Sequence, residues 1–296
     1  QVGVMVNASD LFINKKDPLY NCKKLFPNPN KSKVRFVRLA CHLHEIFLLK
    51  EVIAWLKKNN FMIFINLMQI SEIKDFNIKK VCLFLNKTDA DILYLADSLG
   101  SLNPKKISYL VKLVKKYFKF EIGFHAHNNL KLALKNAIAA NNSGAKWIDS
   151  TIKGMGRGPG NLLTEDIIRH LNYNSKNKFF SKQLKDYFNK LKKKYNWGPN
   201  QYYKIAAKNK IHPTYIQKML SDERYKKLNY LDIIKSLKKT ETSKYNPIRY
   251  FQYAFFSKKK QLRKNFLIKS ITNKTLIIGS GKSVRKNKSK IEKFIR

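Results

Sequence analysis

Six short apolar runs recur along this chain at nearly even intervals, and that rhythm leaves few folds open. They begin at Val2 (VGVMVN), Val34 (VRFVRLA), Met62 (MIFINLM), Ile92 (ILYLAD), Glu121 (EIGFHAH) and Trp147 (WIDSTI), so successive starts lie 32, 28, 30, 29 and 26 residues apart. Between the runs, apolar residues return at helical spacing. Ile46, Leu49, Ile53 and Leu56 share a face over 45–59. Ile107, Leu110, Val111 and Val114 share one over 104–118, where Pro104 suits an early helical position. A third helix, rich in Ala and Leu, is expected over 130–143, and 73–85 reads more weakly as a helix with part of a turn. Strands joined by helices lie parallel, because a parallel pair needs a long crossover. Two α/β architectures satisfy this pattern: a (β/α)8 TIM barrel and an open doubly wound sheet, which six strands could complete.

Composition removes several classes. No apolar run reaches the length of about 18 residues that a membrane span needs, and no signal peptide is visible. Cys22, Cys41 and Cys82 are scattered and odd in number, so neither a disulfide framework nor a CxxC zinc site follows. A reducing cytoplasm fits that usage. The 61 Lys and Arg against 19 Asp and Glu leave a formal net charge of +42. A charge of that size invites a polyanionic partner such as nucleic acid. Yet the lysines are spread along the whole chain, alongside abundant Asn, Ile, Phe and Tyr, and form no single basic arm. This favours compositional drift, and no specific nucleic-acid partner or membrane is expected.

The chemistry-bearing stretch is EIGFHAHNNL, residues 121–130. Ile122, Phe124 and Ala126 alternate with Gly123, His125 and His127, which puts both imidazoles on one face of a strand. Asn128 and Asn129 stop the strand and can cap the helix that follows. Ligands and metals sit at this end of the strands in parallel α/β folds, and neutral imidazole suits divalent cations. A pair of hydrogen-bonded core histidines is the blander alternative. The other strand ends carry His42, Asn66, Gln69, Asp97 and Ser98. Asp97 and Ser98 read equally as a polar strand-end turn or as a helix cap, and His42 and His44 as structural residues.

After the sixth run, KGMGRGPGN (153–161) packs four glycines and a proline into nine residues. Such a loop lets backbone amides approach an anion, with Arg157 adding positive charge; it reads equally as a tight turn before a helix. It is not a dinucleotide fingerprint. Residues 174–194 are expected to be helical, with Leu184, Phe188 and Leu191 as the apolar stripe, and 196–220 to alternate turns with short helices. There Trp197, Tyr202, Tyr203 and Tyr215 read most simply as packing residues. KTLIIGSGKSV (274–284) is not a Walker A loop, because Leu276 stands where that motif needs glycine. The expected organisation is a catalytic domain over 1–172, a helical extension over 173–237, a linker over 238–273 and the start of a second α/β domain over 274–296. The first run already reads as a buried strand at Gln1, so the expectation is a fragment.

ADSLGSLNP and GFHAHNNLKLALKNAIAANNSGAKWIDSTIKGMGRGPGN, at this unit spacing, resemble the metal-dependent aldolase family that includes 4-hydroxy-2-oxovalerate aldolase. The wider group takes in hydroxymethylglutaryl-CoA lyase, isopropylmalate synthase and the pyruvate carboxyltransferase domain, the DRE-TIM metallolyases. The likeness covers about 1–172 and is strongest over 91–165. It implies a TIM barrel, here without its first two βα units, that holds Mn2+ or Mg2+ through His125 and His127. It also implies a third ligand, an Asp within an Arg-Asp motif on the first strand, and a histidine base after it, none of which has a counterpart here. The implied reaction cleaves or forms a C–C bond beside a 2-oxo acid through a pyruvate enolate; an acyl-CoA Claisen-type synthase or lyase is the alternative on the same barrel. The expected site therefore has Asp97 and Tyr202 as catalytic groups, His125 and His127 as metal ligands, and Asn66, Asn161 and Arg157 on the substrate. A small 2-oxo acid is the expected partner, with a homodimer or a partner dehydrogenase beside it.

Overall fold

A computed structural model describes residues 1–13, 17–171, 182–223, 229–238 and 241–248. The six apolar runs form six strands: β1 (Val2–Asn7), β2 (Val34–Cys41), β3 (Met62–Leu67), β4 (Ile92–Asp97), β5 (Glu121–Ala126) and β6 (Trp147–Ile148). Every adjacent pair is parallel and the spatial order follows the chain order, β1 through β6. A doubly wound sheet would reverse direction at a switch point. This sheet never does, so it is the singly wound arc of a (β/α) barrel.

Helices alternate with the strands: α1 (Ala8–Leu11) and α2 (Pro18–Leu25), α3 (Leu43–Ile46) and α4 (Lys50–Lys58), α5 (Asp75–Leu85), α6 (Pro104–Tyr117), α7 (Ala133–Asn142) and α8 (Thr164–His170). The helix expected over 45–59 is two pieces. The amides of Leu48 and Leu49 reach back only three residues, to Glu45 and Ile46, and that tight turn separates α3 from α4. The helix expected from 130 begins at Ala133, because Lys131 adopts a left-handed φ of 60°. Asn128 still serves as a stop: its Oδ1 accepts from the Ala133 amide at 3.3 Å.

The alternation of side chains separates two layers. Val37, Leu39, Ile63, Ile65, Leu93, Leu95 and Phe124 face the helices and are fully buried among Ile53, Leu56, Val81, Val111 and Ala137. Each such Leu or Ile contributes about 1.5–3 kcal/mol. The inner face is aromatic in its lower half. Phe36, Phe64, Ile92 and Tyr94 cluster with Met62 and Trp147, and the Phe36 and Phe64 rings stack at 4.6 Å. Above this plug the inner face turns polar, and that is where the site lies.

Beyond the sheet, α9 (Lys182–Tyr195), α10 (Gln201–Lys208), α11 (Pro213–Ser221) and α12 (Tyr230–Leu237) follow. Tyr203, Ala206, Ile211, Tyr215, Ile216, Ile233 and Ile234 make a second apolar cluster of their own. Residues 241–248 fall in the stretch expected to be a linker, and they dock. Thr242 is buried, its carbonyl accepts from the His212 amide at 2.8 Å, and Gln69 Nε2 donates to the Ser243 carbonyl at 2.8 Å. The expected second domain over 274–296 lies outside the described residues. No described helix is long and apolar enough to cross a membrane.

Candidate active site at the carboxyl ends of the strands

β5 delivers its two imidazoles to the inner face, as strand alternation requires. The rings of His125 and His127 stand 5.1 Å apart, centroid to centroid, at 73°. Their surroundings differ. His125 Nδ1 lies 2.8 Å from Asp149 Oδ2, just past β6. His127 Nδ1 is buried with no hydrogen-bond partner. Burial lowers the His127 pKa well below its ordinary value, the nearby His125, Arg157 and His212 add to that, and a hydrogen bond to the Ser98 backbone offsets only part of it, so the ring is neutral at pH 7. A neutral imidazole with an uncommitted nitrogen is a lone-pair donor waiting for an acceptor.

Beneath His125 lies a network that strand-end positions alone do not reveal. Arg38, in the middle of β2, donates through Nη1 to Asp149 Oδ2 at 2.6 Å and through Nη2 to Asn66 Oδ1 at 2.7 Å. Its guanidinium lies over the Tyr94 ring, 3.7 Å from the centroid. Burial would raise the Asp149 carboxyl, but the His125 hydrogen bond and the Arg38 charge hold it below its ordinary value, so it is ionised. Burial and the Asp149 charge raise the Tyr94 phenol, which stays neutral. The sequence carries signals of it: Arg38 interrupts an apolar run at an inward-facing position, and Asp149 stands inside the sixth run, directly after Ile148.

The glycine loop is stitched to β5 by its backbone. The Asn128 amide donates to the Gly160 carbonyl at 2.9 Å, the Leu162 amide to that of Ala126 at 3.2 Å, and His127 and Asn161 form an antiparallel bridge. Gly158 and Gly160 have φ of 54° and 75°, where other residues are strained. The helical extension grips the same loop. Trp197 Nε1 donates to the Lys153 carbonyl at 3.0 Å, and the Gly198 amide to that of Gly158 at 2.9 Å. Tyr203 is buried against Gly158, and burial pushes its phenol up to about 12 despite the Arg157 charge. His212, at the start of α11, is lowered to about 4 by burial and by the nearby Arg157 and His42. Nothing in the sequence marks His212 as a neighbour of His127.

The structure thus brings His125, His127, Asn161 and Arg157 to one mouth. It sets three expected residues differently. Asn66 spends its carbonyl oxygen on Arg38. Asp97 is fully buried, and its two oxygens accept from the Ser101 and Leu102 amides at 3.1 Å each, so it folds the ADSLG loop back on itself. Burial raises its carboxyl to about 6 against those amides. Tyr202 packs on Tyr230, with centroids at 5.3 Å, and it is Tyr203 that meets the glycine loop.

As a test of metal fit, the two imidazoles offer one orphaned nitrogen and one ring braced by a carboxylate, which suits two cation ligands. Among the described residues no group of three or more His, Cys, Asp or Glu gathers to hold an ion. All three cysteines are buried away from this role, and burial raises their thiols.

Known proteins are similar to this chain in sequence and in fold. The sequence model of the HMGL-like family matches residues 33–187, just over half of the chain. The 4-hydroxy-2-oxovalerate aldolase 2 of Nocardia farcinica is 32% identical over 132 residues, which are 45% of this chain and 38% of that protein. A second 4-hydroxy-2-oxovalerate aldolase, from Pelotomaculum thermopropionicum, is 31% identical over 138 residues, 47% of this chain and 41% of that protein. The matched region therefore spans less than half the length of these curated relatives. Among solved structures, the N-terminal domain of a protein from Bacteroides vulgatus assigned as an aldolase superposes with a TM-score of 0.63 at 28% identity, covering 80% of this chain and 76% of that one. The carboxyl transferase domain of Rhizobium etli pyruvate carboxylase, solved with pyruvate and biocytin, superposes at 0.66 with 12% identity, covering 87% of this chain and 48% of that one, a likeness of fold.

Proposed function

The chain belongs to the HMGL-like family, and on that premise we propose that it is a divalent-metal-dependent aldolase acting on the C–C bond beside a 2-oxo acid. One observation carries the reading: His125 and His127 share the inner face of β5, and His127 Nδ1 is buried with no hydrogen-bond partner. An orphaned buried imidazole nitrogen costs free energy unless something accepts its lone pair. Mn2+ or Mg2+ held by these two rings would act as a Lewis acid, stabilising negative charge that develops on the 2-oxo oxygen. The reading requires a third, anionic donor from outside the described residues.

The other residues have parts that follow from their placement. Arg157, on the glycine loop beside His127, supplies positive charge for the substrate carboxylate. Asn161, bridged to His127, holds the loop and the strand end in register and lines the same mouth. Asn66 acts through Arg38. Asp97 anchors the ADSLG turn. Tyr203 and Trp197 close the loop from the extension side and exclude water there, while Tyr202 braces α10 against α12. A small 2-oxo acid substrate belongs to the proposal, with either a homodimer or a partner dehydrogenase beside it.

The test is metal content and product. The full chain, equilibrated with Mn2+ and desalted, is expected to retain metal, and the His125→Ala/His127→Ala double variant to lose it. Unchanged metal content in the double variant would sink the reading. Pyruvate release from a 4-hydroxy-2-oxo acid, compared with CoA release from an acyl-CoA, separates the aldolase from the Claisen-type alternative.

A further inference from the structure

The hydrogen-bond chain that ends on His125 dictates which of its nitrogens carries the hydrogen. It starts from a group with no choice. A guanidinium only donates, so Asn66 must turn its oxygen toward Arg38 Nη2, and Asp149 Oδ2 must accept from Nη1. The guanidinium itself is held from three sides, by Asn66, by Asp149 and by the Tyr94 ring beneath it at 3.7 Å. Gly123 makes room for that ring, since any Cβ there would collide with it. The same oxygen, Asp149 Oδ2, also meets His125 Nδ1 at 2.8 Å. A carboxylate paired with a guanidinium is an acceptor only, so the hydrogen in that contact belongs to His125 Nδ1. The lone pair of the neutral ring is then on Nε2. His127 Nδ1 has no such carboxylate, because that nitrogen meets no partner.

We propose that Asp149, held by Arg38, is a positioning residue that locks His125 as the Nδ1–H tautomer and so presents its Nε2 lone pair to the site. Where Nε2 meets a divalent cation, the inference rests on the metal reading above; the tautomer itself does not. A second-layer carboxylate on a ligating histidine fixes ring orientation and raises ligand basicity. Arg38 prevents Asp149 from swinging away or taking the hydrogen.

The tautomer is read directly from long-range 1H–15N correlation spectra of the full chain labelled with 15N-histidine, at pH 8 and without metal. Wild type is expected to show a protonated Nδ1 and a bare Nε2 at His125; the opposite assignment overturns the proposal with no variant needed. Asp149→Asn keeps an oxygen that can take the shared Oδ2 place and accept from both Arg38 and His125, so it should keep the Nδ1–H tautomer. Asp149→Ala removes the shared acceptor, so the His125 ring should lose its preference and populate both tautomers. Mn2+ or Co2+ affinity, measured by titration, should fall about tenfold or more in Asp149→Ala, while the thermal midpoints of Asp149→Asn and wild type serve as the folding control. A His125 ring that stays wholly Nδ1–H in folded Asp149→Ala overturns the positioning role. Wild type that shows the expected tautomer and binds no metal overturns the metal reading and leaves the positioning role standing.

Discussion

Gly123 lies flat against Tyr94: a Cβ at position 123 would fall 2.6 Å from three carbons of the ring. The two residues are register partners on β5 and β4, and the ring carries the Arg38 guanidinium on it. The glycine of GFHAH is therefore the floor of the polar network beneath His125.

Gly123→Ala should force Tyr94 aside and misplace Arg38. Overpacking of this kind costs about 1–3 kcal/mol. Urea denaturation should show that loss, and Asp149 and His125 should lose their fixed geometry, seen as line broadening of the His125 ring in the labelled spectra. A variant as stable as wild type would mean that the inner aromatic layer yields freely.

Asp97 predicts an unusual pH response. Its carboxyl is raised from 3.8 to about 6 in the folded state, first by burial. A raised carboxyl binds its proton more tightly when folded, so this group adds stability as pH falls from about 7 toward 4, the opposite sign to a salt-bridged carboxylate. Asp97→Ala leaves the Ser101 and Leu102 amides without their acceptor, a cost of about 1–3 kcal/mol for a buried donor. The stability gap between wild type and Asp97→Ala should therefore widen on acidification across that window. Chemical denaturation at pH 7, 6, 5 and 4 checks it, and a gap that narrows refutes the sign.

Gly160→Ala tests the loop that closes on β5. Gly160 has φ of 75°, and a Cβ there would lie 2.5 Å from the Gly154 carbonyl oxygen, a backbone atom that cannot rotate away. Left-handed strain costs a non-glycine residue about 1–2 kcal/mol before the clash is counted. The loop should lift from the strand, breaking the Asn128-to-Gly160 hydrogen bond. Amide exchange at Asn128 should accelerate, and exchange in β2 and β3 should not.

Much of this was legible beforehand, for identifiable reasons. Spacing of the six apolar runs and the two-residue alternation in EIGFHAH are local periodicities, and the six parallel strands and the shared face of His125 and His127 follow from them. Glycines 158 and 160 marked a loop of unusual backbone because few other residues take those angles. The break between α3 and α4 and the late start of α7 are not legible there, since tight three-residue turns and a left-handed Lys131 leave no mark in an apolar pattern.

The site divides the same way. Sequence alone determined which residues could bear chemistry and which face each would take, because a strand's geometry is set by its own backbone. Only the tertiary structure decided what each one meets. It joined Arg38 on β2 to Asp149 beyond β6, 111 residues apart, with Tyr94 and Asn66 as supports. It turned Asp97 inward onto its own loop and set Tyr203, not Tyr202, against Gly158. It also brought His212 from the helical extension toward His127. Pairings of that kind depend on how strands at different heights place their side chains in a shared interior. That is a property of the register between distant segments, and no segment carries it by itself.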